Sequence, residues 1–139
     1  MWVVDTCVLI DVLEDDPEFG RVSADSLAGH LHDGLVVSPI TYAELSPAFG
    51  GSCILQDEFL GGIGAGWKEL WTAADTLAAH RAWGVHVARR RAGAAQKRPM
   101  ADVLIGAFAT RFMGLITRNT KDFRQHFPAL RLVDPSGRR

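Results

Sequence analysis

The sequence predicts an α/β layered fold with a mostly parallel sheet of four or five short strands. Two observations predict it. Short apolar runs such as Trp2-Val3-Val4, Leu35-Val36-Val37 and Leu115-Ile116-Thr117 are too brief for helices. The stretches between them carry helical apolar spacing, Ser or Thr starts and Gly stops. Strands that alternate with helices in this way form parallel sheets, whose ligands gather at the carboxyl ends of the strands.

The elements follow in order. Residues 2–4 form the first strand, and residues 7–13 are apolar at 7, 8, 9, 10, 12 and 13, which suits a buried helix. After a turn at Asp15-Asp16-Pro17, residues 18–32 place Phe19, Val22, Leu27 and Leu31 at near-helical spacing, and residues 35–37 form a second strand. Ser38-Pro39 is an N-cap followed by a first-turn proline, so residues 40–46 are helical. Gly50-Gly51 breaks the chain before a helix over residues 53–61. Residues 67–71 are a possible third strand, and Thr72 caps a long helix that runs to about residue 93. A loop over residues 93–99 leads to a helix over 100–112 stopped by Gly114. A strand at 115–117, a helical turn at 121–126 and a last strand at 130–133 complete the chain.

With 139 residues and 47% hydrophobic content, the chain reads as one domain, 1–139, with a sizeable core. Cys7 and Cys53 follow no metal-ligand spacing and are too few for a disulfide framework, which points to a reducing compartment and small buried side chains. No apolar stretch approaches the ~20 residues of a membrane span, and the first residues lack the basic segment of a secretory signal, so a cytoplasmic protein without membrane association is expected.

The net charge of −1 hides an asymmetry. Residues 1–75 hold 13 acids and 2 bases, net −11, whereas residues 76–139 hold 3 acids and 13 bases, net +10. Either the halves interleave and neutralise one another, or a segregated basic face is available to a polyanion.

Four carboxylates each adjoin an apolar run: Asp5, Glu44, Asp102 and Asp122. A carboxylate at the edge of a buried element is costly unless paired, and a divalent cation is the usual partner when several converge. Each alone has a plain explanation, as a cap, a solvated helix residue, a first-turn acid or a turn residue. Together, with Thr6, Thr117 and Asn119 supplying hydroxyl and amide groups, they point to a metal site for phosphodiester hydrolysis. There, carboxylate-held Mg²⁺ or Mn²⁺ lowers the pKa of water and stabilises developing charge. The five histidines show no zinc pattern and are expected at the surface or at helix ends.

These residues resemble the PIN-domain ribonucleases and, within them, the VapC toxins of bacterial toxin–antitoxin pairs. The resemblance is carried by Val4-Asp5-Thr6-Cys7-Val8-Leu9-Ile10-Asp11, Ser38-Pro39-Ile40-Thr41-Tyr42-Ala43-Glu44-Leu45, Met100-Ala101-Asp102-Val103-Leu104-Ile105-Gly106-Ala107 and Leu115-Ile116-Thr117-Arg118-Asn119-Thr120-Lys121-Asp122-Phe123, in that order. It implies a three-layer PIN-like domain and a metal-dependent endoribonuclease. Asp5 and Asp102 would be the principal metal ligands, Glu44 and Asp122 further acids, and Thr117 and Asn119 groups orienting that shell. It also implies a homodimer and a cognate antitoxin. Cys7 stands where the family often has a small polar residue, and residues 50–99 match only in length and helical character.

Arg89, Arg90, Arg91, Lys97 and Arg98, together with Arg118, are candidate contacts to RNA phosphates; the plainer role is helix capping and pairing with the acidic half. The four tryptophans read as core or dimer-interface residues, the acidic run Asp11, Asp15, Asp16 and Glu18 as a solvated turn, and Phe108, Phe112 and Met113 as core.

Rival functions fit less well. In a phosphorylatable receiver the threonine and lysine come from successive strands, whereas Thr117 and Lys121 share one segment. A haloacid-dehalogenase-like phosphatase needs a second aspartate where this chain has Cys7. A catalytically silent RNA-binding or protein-binding module of the same fold is the third alternative.

Overall fold

The computed structural model describes residues 1–91 and 100–137, and the backbone alone of Arg90 and Arg91. Five strands form one sheet: β1 (Trp2–Val4), β2 (Leu35–Val36), β3 (Ala65–Gly66), β4 (Gly114–Ile116) and β5 (Leu132–Val133). Their order is β3-β2-β1-β4-β5, and all four ladders are parallel. The α-helices are α1 (Thr6–Leu13), α2 (Gly20–His30), α3 (Pro39–Glu44), α4 (Cys53–Gly62), α5 (Ala73–Arg91), α6 (Met100–Ala109) and α7 (Thr120–His126).

The sheet is buried on both faces, as a parallel sheet requires. Val4, Val8, Leu9, Leu45, Leu60 and Ile116 pack in one layer, and Val3, Val36, Ile105, Phe108, Leu115 and Phe123 in the other. The chain runs from β1 outward through β2 to β3, then crosses to β4 and β5 on the other side of β1. Strand order therefore reverses between β1 and β4, and in parallel sheets ligands gather at the carboxyl ends of the strands beside such a reversal.

Local chemistry accounts for most element boundaries. Asp5 caps α1, and the Ser38 and Ser52 hydroxyls cap α3 and α4 by accepting from Thr41 and Leu55 amides. Thr72 and Asp75 form a reciprocal capping pair at the start of α5: the Thr72 amide donates to Asp75 Oδ2 at 2.9 Å, and the Asp75 amide to Thr72 Oγ1 at 3.3 Å.

Several expectations are corrected. The third strand is Ala65–Gly66 rather than residues 67–71. Its backbone pairs with β2, while Trp67 has left the sheet to stack on Tyr42 at 4.2 Å. Helix α6 ends at Ala109 rather than residue 112, because the amides of Arg111 and Phe112 turn back to the carbonyls of Phe108 and Ala109 in tighter turns. Cys53 is exposed, not buried. Met113 is also exposed. His86 is buried, packed between Trp83 and His126, and its Nε2 has no hydrogen-bond partner among the described residues. Asp11 is not in a solvated turn: it lies on the buried face of α1. Among the described residues no helix is long and apolar enough to cross a membrane.

Candidate acidic site at the carboxyl rim of the sheet

Asp5 follows β1 directly, and its amide donates to the Ile116 carbonyl at the end of β4, which fixes it at the reversal of strand order. The side chain is 5% exposed. Its Oδ1 accepts from the Thr6 amide at 2.8 Å, and its Oδ2 accepts from the Thr117 hydroxyl at 2.7 Å and from Cys7 Sγ at 3.4 Å. Burial raises the Asp5 pKa, against the opposing effect of the Thr117, Cys7 and Thr6 hydrogen bonds. Burial and the neighbouring Asp5 charge push the Cys7 thiol up to about 12, so it faces Asp5 as a neutral donor.

Glu44 ends α3 and accepts at Oε1 from the Thr6 hydroxyl at 2.7 Å; Thr6 also lies 3.1 Å from the Thr41 hydroxyl. Thr6 thus ties the second acid to the residue that follows the first.

Asp102 stands in the first turn of α6. Burial, then the charges of Asp5, Asp122 and Glu44, raise its pKa to about 6. The other three acids are thus near enough to act on Asp102 electrostatically, and sequence reasoning named all four. Asp122, in the first turn of α7, is half-buried. Asn119 joins Thr117 to Asp102: its amide donates to Thr117 Oγ1 at 3.0 Å, and its Nδ2 donates to Asp102 Oδ2 at 3.4 Å.

Four carboxylates with adjacent hydroxyls are hard oxygen donors and suit Mg²⁺ or Mn²⁺ rather than zinc. The repulsion expressed at Asp102 is the kind that a divalent cation relieves. As the side chains stand, no group of three or more His, Cys, Asp or Glu among the described residues is disposed to hold a metal ion.

The basic candidates fall in different places. Arg89 donates to the Gln125 carbonyl in α7 at 3.2 Å. The side chains of Arg90 and Arg91, and Lys97 and Arg98 entirely, lie outside the described residues. Arg118, read from the sequence as an RNA contact, forks onto Asp11 with bonds of 2.6 and 3.0 Å and lies over the Phe19 ring at 4.1 Å. Sequence reasoning missed this partner of Arg118. The signal was present: Asp11 is three residues from Val8, on the buried stripe of α1.

No family model matches the sequence, and no curated protein matches it. The fold, however, is shared with solved structures. FitAcB from Neisseria gonorrhoeae superposes with a TM-score of 0.67 at 18% identity, over 99% of this chain and 100% of that one. VapBC2 from Rickettsia felis bound to a DNA fragment from their promoter gives 0.67 at 17%, over 94% and 96%. VapBC-1 from nontypeable Haemophilus influenzae gives 0.65 at 22%, over 97% and 98%. A five-stranded parallel sheet with helices on both faces, matched from end to end by these structures, has the PIN-domain fold.

Proposed function

We propose that this chain is a metal-dependent endoribonuclease and the toxin of a toxin–antitoxin pair. The observation that supports it best is the placement of Asp5, Glu44 and Asp102 by hydrogen bonds from Thr117, Thr6 and Asn119 at the carboxyl rim of a parallel sheet, with the charges of Asp5, Asp122 and Glu44 all acting on Asp102. The solved structures that share the fold support the toxin assignment, and they motivate a cognate antitoxin as partner. A cytoplasmic homodimer is part of the same reading.

In this mechanism Asp5 and Asp102 would hold Mg²⁺ or Mn²⁺, with Glu44 and Asp122 as further acids acting directly or through water. When bound, the cation lowers the pKa of water and stabilises charge on the phosphoryl oxygens. The Thr117 hydroxyl donates to Asp5 Oδ2 and the Thr6 amide to Oδ1, which restrains that carboxylate. Asn119 restrains Asp102 in the same way, and Thr6 restrains Glu44. Water delivered in line to phosphorus leaves a 5′-phosphate and a 3′-hydroxyl. Arg89, Arg90, Arg91, Lys97 and Arg98 remain the proposed contacts to the RNA backbone.

The test is incubation of a structured RNA pool with the purified chain in EDTA, Mg²⁺ or Mn²⁺, alongside Asp5→Asn. Cleavage that requires the metal and is lost in the variant supports the proposal. A folded, partner-free chain that cuts nothing with either ion would favour the silent binding module instead.

A further inference from the structure

We propose that the ion pair between the buried Asp11 and the half-buried Arg118 is a positioning device for the acidic site, holding the segment 117–119 so that Thr117 and Asn119 keep Asp5 and Asp102 oriented. Its consequence for metal binding rests on the nuclease reading above; the structural restraint does not.

The argument is a closed ring of contacts. Asp5 is the N-cap of α1, and Asp11 lies six residues later on the same helix. Arg118 reaches back to Asp11 from the loop after β4, with Nε on Oδ2 at 2.6 Å and Nη2 on Oδ1 at 3.0 Å. Thr117, the residue before Arg118, donates to Asp5 Oδ2, and Asn119, the residue after it, donates to Asp102. Helix α1 and the 117–119 segment are therefore joined within the site, at Asp5 and Cys7, and a second time further along the helix at Asp11. The Thr117 amide pairs with the Val133 carbonyl and Asn119 reaches Asp102, so the link at Asp11 holds the residue between two anchored neighbours. The second link is stiff, because a two-pronged guanidinium–carboxylate pair fixes orientation as well as distance.

The surroundings indicate that the pair is built to persist. Asp11 is 4% exposed, and its Oδ2 also accepts from the buried Ser23 hydroxyl on α2 at 3.3 Å. Phe19 covers the guanidinium face at 4.1 Å. Replacement of such a pair by apolar residues is often neutral for stability, so its presence calls for a role in specifying geometry. Here the geometry it specifies is that of the two residues touching Asp5 and Asp102.

Arg118→Met and Arg118→Lys test this. The first removes the charge and the fork. The second keeps a charge opposite Asp11 and so protects against simple unfolding. Amide hydrogen exchange in the metal-free chain should show Asn119 exchanging about tenfold faster in Arg118→Met, with less change in Arg118→Lys and with the β1 and β4 amides of Trp2 and Leu115 unchanged. Mn²⁺ affinity by calorimetry should fall about tenfold in parallel.

A uniform acceleration at every amide would reduce the pair to ordinary stability and overturn the proposal, as would protection at Asn119 unaltered in both variants. Selective loss of protection with wild-type Mn²⁺ affinity would also overturn it, by separating the restraint from the site. If the wild type binds no Mn²⁺, the nuclease reading falls, and selective loss of protection at Asn119 still supports the restraint.

Discussion

Asp102 is where the chemistry of single residues can be measured most directly. Burial and three neighbouring acids raise its pKa to about 6 from an ordinary value near 3.8, so between those pH values the folded chain binds a proton that the unfolded chain has released. Without metal, its contribution to stability is therefore most favourable below pH 4 and declines as pH rises through 6. Asp102→Asn removes that unfavourable charge. In EDTA at pH 7 the variant should be about 1 kcal/mol more stable than wild type, a figure reduced from the full shift because the side chain is only partly buried, and denaturant titration reads it. The same variant should lose RNA cleavage. If Asp102 holds the cation as proposed, a proton on it competes, so Mn²⁺ affinity should rise with pH through about 6 and level off above it; affinity that is flat from pH 5 to 8 would remove Asp102 from the proposed ligand set. All four acids were legible in the sequence because each adjoins an apolar run whose burial makes an unpaired charge expensive. Asp11 was not, because it sits among exposed acids in the sequence, and only the helical stripe of α1 assigns it to the interior.

Among the elements, α5, α6 and α7 depend on contacts that hydrophobic patterning shows only in part. The start of α5 was readable, since Thr72 and Asp75 have capping-box spacing. Its long-range clamp was not. Asp75, fully buried, receives Arg111 Nε at 2.6 Å and Nη2 at 3.0 Å, and the same guanidinium reaches the Leu70 carbonyl and lies over Phe108 and Phe112. Arg111→Ala leaves that carboxylate without its cation and should cost about 3 kcal/mol in chemical denaturation, with Arg111→Lys recovering part of it. Strand β3 was misplaced for the opposite reason: Ala65–Gly66 has little side-chain preference for a strand and is recruited by backbone pairing to β2, while the aromatic run that looked more strand-like packs elsewhere. Gly106 shows how such packing reaches the site. A Cβ there would run into the Phe127 ring just beyond α7, the helix that carries Asp122. Gly106→Ala should therefore destabilise by about 1–3 kcal/mol and weaken Mn²⁺ binding as well, whereas Gly84→Ala, whose Cβ would meet nothing among the described residues, should do neither.

At the scale of the whole molecule, the opposed charges of the two halves are resolved partly by interleaving. Asp11–Arg118 and Asp75–Arg111 each pair an acid from the first half with an arginine from the second. These arginines are engaged with buried carboxylates, and the proposed contacts to nucleic acid are the arginines and lysine at positions 89–98, in the long acid-free interval between Asp75 and Asp102. The two roles have different signatures. Charges spent on buried partners contribute little to the salt dependence of RNA affinity, while each phosphate contact adds to its slope. With Asp5→Asn used to prevent cleavage, Arg90→Ala combined with Arg91→Ala should lower the slope of log affinity against log salt by about 1.4 for single-stranded RNA and leave the unfolding free energy within about 0.5 kcal/mol of the parent. Fluorescence anisotropy over a salt series measures the first and denaturant titration the second. A slope unchanged by the double substitution would assign the cluster to capping and pairing within the chain, and RNA would then have to be held by the metal site and its rim.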